Sequence, residues 1–189
     1  MIGLLDVVSS LDAGSIFAGR ELVKIPVVGL LETAMSFASI FYRKVGLLSD
    51  LTLPELTIES SLREWNLSSV PTTVESIELP QHLPTRNPMK LKRKILKAVQ
   101  TLQNSGVDVI LPCSLRVSSI LETLRREIST DILNPIEISL KIAEILSSMG
   151  LSHTKLAYPT PVIPTFTLER LRKSDQLSDL RLLPPGENL

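Results

Sequence analysis

Cys113 is the only cysteine in the 189-residue chain. No disulfide can form within it, and a reducing compartment suits it. Zinc patterns built on paired cysteines are absent. The two histidines, His82 and His153, lie too far apart in sequence to give metal-ligand spacing, so no metal is expected. Charge of one sign is also missing: 20 Lys and Arg face 20 Asp and Glu. A neutral balance gives no general attraction to nucleic acid or anionic lipid. No apolar run approaches the ~20 residues of a spanning helix, so no membrane partner is expected. The opening residues Met1–Asp6 lack the basic start of a secretory signal. Glycine and serine show no phosphate-loop spacing, and no repeat of solenoid length occurs. The expectation is a soluble cytoplasmic protein. Its hydrophobic share, 43%, is enough for a globular core and rules out a disordered chain.

Short apolar runs alternate with segments of helical spacing. The most informative run is Gly106-Val107-Asp108-Val109-Ile110-Leu111-Pro112-Cys113-Ser114. A near-continuous apolar run of this length reads as a strand buried on both faces of a parallel sheet. Ligands of open α/β folds bind beyond the carboxyl ends of such strands, and Cys113 falls at that end. Further strands are expected at Leu4–Val8, Pro26–Leu30, Val45–Leu48, Val74–Leu79 (toward an edge) and Asp131–Leu133. Helices are expected over Ser15–Leu22, Glu32–Tyr42, Pro54 to about Trp65, Pro88 to Leu102 and Leu115 to Ile128. Leu91, Ile95, Ala98, Val99 and Leu102 form the apolar stripe of the fourth of these, and the lysines at 90–97 its solvated face. Asn134-Pro135-Ile136-Glu137 starts the last helix with a capping side chain, a first-turn proline and an acidic third residue. Gly106 and Gly150 are expected helix stops. The pattern predicts an α/β fold of parallel-sheet layers with flanking helices. The chain opens directly on a strand that needs neighbours, so the first unit reads as incomplete and self-association as a homo-oligomer is expected.

Three segments carry a resemblance. Gly19-Arg20-Glu21-Leu22 leads to Ile25-Pro26-Val27-Val28-Gly29 and Glu32-Thr33-Ala34-Met35. Gly106–Ile110 leads to Cys113. Asn134-Pro135 is followed by Leu140–Glu144, Gly150-Leu151-Ser152 and Tyr158-Pro159. In this order they resemble the aspartate/glutamate/hydantoin racemase superfamily, and within it the hydantoin racemase-like branch. The resemblance implies two pseudo-symmetric α/β lobes: residues 1–43 with 134–165, and residues 44–133, with 166–189 as a tail. It implies a small-molecule substrate of hydantoin or aspartate/glutamate type and no cofactor. Two cysteines, one per lobe, exchange a proton at the α-carbon. The second maps onto Cys113. The first falls where Ser10 stands. Paired hydroxyls map onto Ser49 and Asp50, and Ser114 adds a donor beside Cys113. Roughly two early βα units of the family, with an Asn-Pro-Asn loop, have no counterpart here.

Chemistry keeps other readings open. A thiolate suits carbon-acid deprotonation, and a following helix N-terminus favours it. Cys113 is equally read as a small buried residue at a strand end. Ser10 is too weak an acid to replace a thiolate without an adjacent base, and is otherwise a cap or loop residue. Ser49 and Asp50 read as crevice or cap residues, and an unpaired Asp50 would repel a carboxylate substrate. Besides a two-base racemase, a single-cysteine lyase of decarboxylase type and a non-catalytic oligomeric subunit are carried as alternatives.

Overall fold

The computed structural model describes residues 6–8, 13–50, 55–77 and 88–161. Strands and helices alternate as β1 (Asp6–Val8), α1 (Ala13–Leu22), β2 (Val27–Gly29), α2 (Leu30–Phe41), β3 (Val45–Ser49), α3 (Glu55–Glu64), β4 (Thr72–Ser76), α4 (Pro88–Asn104), β5 (Val109–Pro112), α5 (Leu115–Leu124), β6 (Asp131–Ile132) and α6 (Pro135–Ser148). A 3-10 turn, Arg125–Glu127, ends α5. Every described strand pair is parallel. β1 and β2 make one small sheet; the other has the order β4-β3-β5-β6.

The two central strands show why their sequences are apolar throughout. Every residue of β3 and of β5 is buried. Side chains of a strand alternate between faces. Val45, Leu47, Val109 and Leu111 therefore face one layer, with Leu31, Ala34, Met35 and Ala38 of α2 and Ile58 and Leu62 of α3. Leu48 and Ile110 face the other, with Ile95, Val99 and Leu102 of α4 and Val117 and Leu121 of α5. The continuous apolar run is the sequence image of a strand covered on both sides. Trp65 closes the first layer.

The termini of these elements follow local chemistry. Asn134 caps α6, its side chain accepting from the Ile136 N–H at 3.1 Å, with Pro135 in the first turn. Gly106 (φ +80°) and Gly150 (φ +65°) take the left-handed conformation that stops the preceding helices. Asn66, at φ 59°, performs the same stop after α3. Several boundaries differ from the sequence pattern: α1 and α2 begin two residues early, at Ala13 and Leu30, and α5 ends at Leu124. β5 begins at Val109 because the Asp108 carboxylate accepts from the Arg43 and Lys44 amides, at 2.8 and 2.9 Å, and joins strand to preceding loop. β4 begins at Thr72, two residues early. It is half-buried at every position, as an edge strand is, so its alternation is weak.

α6 returns to pack on α2 and β2, and the Ser139 hydroxyl donates to the Leu30 carbonyl at 3.4 Å. Residues 151–158 then run along α1. His153 Nε2 lies 2.7 Å from the Val23 carbonyl, and Lys155 Nζ donates to the Arg20 and Glu21 carbonyls at 2.8 and 2.7 Å.

Candidate functional site

Cys113 follows Pro112 at the carboxyl end of β5. Its N–H donates to the Leu48 carbonyl at 2.9 Å, extending the β3–β5 ladder by one residue. That bond fixes Cys113 beside Ser49 and Asp50, which end the neighbouring strand. Both are buried. The Ser49 carbonyl accepts from the Ile77 N–H at 2.8 Å, tying the β3 end to the β4 edge.

As a whole residue Cys113 is half-buried, and its side chain packs against the first core layer. Burial pushes its pKa from 9.0 up to about 12, and the Asp50 carboxylate adds to the rise. Both effects disfavour a second anion in a site of low polarity. The free protein therefore holds Cys113 as a thiol. The sequence expectation of a thiolate poised by a helix N-terminus is not what the surroundings favour here.

Asp50 does not stand alone. Arg116 donates to its Oδ2 twice, from Nε at 3.0 Å and from a terminal guanidinium nitrogen at 2.6 Å. Charge-assisted bonds of this length neutralise the carboxylate locally. Sequence reasoning treated Asp50 as unpaired and passed over Arg116. One signal was present: a basic residue in the first turn of α5 opposes the helix dipole, and a nearby anion removes that penalty. Ser114 is the N-cap of α5. Its Oγ accepts from the Val117 N–H at 3.2 Å, and its carbonyl accepts from the Ser118 N–H and hydroxyl. The cap leaves the Ser114 hydroxyl proton available to a neighbour. The structure thus brings together Cys113, Ser49, Asp50, Ser114 and Arg116. Ser10, the position mapped to the first cysteine, lies outside the described residues, as does His82.

The first resembling segment forms a second polar cluster. Arg20 donates to both Glu32 oxygens, at 3.0 and 2.7 Å, to the Val27 carbonyl at 3.2 Å and to the Tyr158 hydroxyl at 3.2 Å. Tyr158 also lies against Phe17, with ring centroids 5.7 Å apart. It packs on α1. The lysine-rich face of α4 is solvated, with Lys92 paired to Glu127 at 2.6 Å.

No family model matches the chain. It is similar to a hydantoin racemase of Rhizobium meliloti, 24% identical over 157 residues that make up 81% of this chain and 65% of the relative. Its fold is similar to that of allantoin racemase from Klebsiella pneumoniae, with a TM-score of 0.71 and 22% identity, covering 84% of this chain and 66% of that one. Glutamate racemase from Bacillus anthracis gives a TM-score of 0.53 and 15% identity, covering 78% and 60%. The chain spans just under two thirds of the length of the proteins it matches. The chain is thus similar in sequence to a hydantoin racemase, and it shares its parallel α/β fold with allantoin and glutamate racemases.

Proposed function

We propose that the protein carries out racemase-type proton transfer at the α-carbon of a small amino-acid derivative of the hydantoin, allantoin or glutamate kind, with Cys113 as the transferring group. The observation that carries this is the position of the chain's only cysteine. It ends a central buried strand, and two polar residues of the adjacent strand lie beside it. Since the thiol is held protonated, its first act is to give a proton. A base on the opposite face breaks the α-carbon–hydrogen bond and leaves the electron pair on carbon. The S–H proton then completes the new bond on the Cys113 side. The thiolate left behind recovers a proton from the other face or from water. Ser49 and Ser114 supply hydrogen bonds to substrate oxygens, and Arg116 compensates Asp50 so that a carboxylate is not simply repelled. In this reading Ser10, at the position of the family's first cysteine, would serve as a hydrogen-bond donor, since a serine hydroxyl is too weakly acidic to act alone as the base.

The protonated thiol favours one second reading. In a single-cysteine lyase the bond to a leaving carboxylate breaks as carbon dioxide departs, and the electron pair left on carbon takes the Cys113 proton. No second base is then needed. A non-catalytic oligomeric subunit draws its support instead from the exposed apolar residues of α6, Ile145 and Met149.

In this scheme residues 1–43 with 134–165 form one lobe and residues 44–133 the other; the packing of α6 on α2 and β2 supports the returning segment. In this reading the protein works without a cofactor, in the cytoplasm, where a lone thiol stays reduced, and as a homo-oligomer. Alkylation of Cys113 by iodoacetamide tests the assignment. Hydantoin, allantoin or glutamate should protect the thiol in a saturable manner. Full reactivity in the presence of all three would remove the thiol from any such substrate site.

A further inference from the structure

A groove of about 300 Å³ opens between α2 and α6. Val28, Phe37, Ile40, Ile142 and Leu146 line it, and Arg20, Glu32, Thr33 and Ser36 supply its polar residues. None of the residues around Cys113 lines it, so it is separate from the thiol site. The apolar surface continues past the lining. Phe41 on α2 is 67% exposed, and Ile145 on α6 and Met149 at its C-cap are 51% and 63% exposed. At spacings of three and four they are helical neighbours of the lining residues. A contiguous apolar face of this kind marks a docking surface.

The chain brings an occupant to its edge. Residues 151–158 run back along α1 until the Tyr158 hydroxyl meets Arg20, itself a lining residue, at 3.2 Å. Residues 159–189 still follow. The most apolar part of that tail comes at once: Val162, Ile163, Phe166, Leu168 and Leu171. Phe166 and Leu168 alternate with Thr165, Thr167 and Glu169, a period of two that puts both apolar side chains on one side of an extended segment. Reach is not limiting. The segment from Tyr158 to Phe166 spans up to ~27 Å, whereas α2 rises only ~12 Å between Glu32 and Ile40.

We propose that residues 162–171 of this chain dock in the α2–α6 groove, with Phe166 and Leu168 against Phe37, Ile40, Ile142 and Leu146. A tail already anchored at the groove's polar end competes at millimolar effective concentration, which a second copy reaches only in concentrated solution. The proposal is independent of the proton-transfer assignment.

Disulfide trapping in the full chain tests it, in a Cys113→Ser background. Ser36→Cys combined with Phe166→Cys should close an intrachain disulfide on mild oxidation. The rate should be independent of protein concentration and at least ~tenfold above that of a control joining Ser36→Cys to Asn188→Cys. A second pair, Thr33→Cys with Leu168→Cys, serves if the first variant misfolds and carries the same expectation. A rate equal to the control overturns the proposal. So does a disulfide between chains whose rate rises with concentration, which would give the groove to a second copy.

Discussion

Replacing Asp50 by Asn removes the negative charge that helps keep the Cys113 proton in place. In the free protein the thiol sits at about 12, against an ordinary value of 9.0. At about pH 8 the thiolate is then roughly one molecule in ten thousand, where an ordinary thiol gives about one in ten. Burial is the larger cause and survives the substitution; Asp50 is the smaller one. Asp50→Asn also removes the carboxylate to which Arg116 is paired. The thiolate population near pH 8 should therefore rise by about tenfold, recovering only part of the loss. With one cysteine in the chain, the pseudo-first-order rate of iodoacetamide alkylation reads this directly. For the wild type, the logarithm of the rate should climb by about one per pH unit up to about pH 10.5 without a plateau. Asp50→Asn should lie above it throughout, and Arg116→Met below it. A wild-type plateau near pH 7 to 8 would show a preformed thiolate. An unchanged or slower Asp50→Asn variant would show that the carboxylate does not govern the thiol.

The raised Cys113 pKa also makes stability depend on pH. The folded state holds the proton more tightly than the unfolded one, so this contribution is complete below about 9 and is lost as pH rises toward about 12. Denaturant titrations across that window should show the wild type losing stability faster than Cys113→Ser, by up to about 1.4 kcal/mol per pH unit and less as solvent screens a half-buried residue. Equal slopes would refute it. Leu111→Ala, at a fully buried position of β5, should cost ~2–5 kcal/mol in the same titrations at neutral pH, with the value set by how far the first layer collapses.

What the sequence made legible follows from locality. The run from Val109 to Cys113 is apolar at consecutive positions because both faces of β5 are covered, as in a buried parallel strand. Asn134-Pro135 announces α6 because cap and first-turn proline act within three residues. Where pairing is distant, no local pattern exists to read. Asp50 and Arg116 are 66 positions apart, and Arg20 and Tyr158 are 138 apart. The ionisation of Cys113 was misjudged for the same reason. Its helix N-terminus is visible in the sequence, but the burial that opposes it, and the smaller push from Asp50, arise only from packing and the β3–β5 ladder. β4 was misplaced by two residues because an edge strand is half-solvated and its alternation is blurred.

The central claim is that Cys113 moves a proton to a substrate α-carbon. Its most direct measurement is the loss of the α-proton signal of hydantoin, allantoin or glutamate in deuterated buffer, followed by nuclear magnetic resonance with wild type and Cys113→Ser side by side. Exchange in the wild type that vanishes in Cys113→Ser is the expected result. Exchange that persists unchanged in Cys113→Ser, or is absent from the wild type with all three compounds, would contradict it.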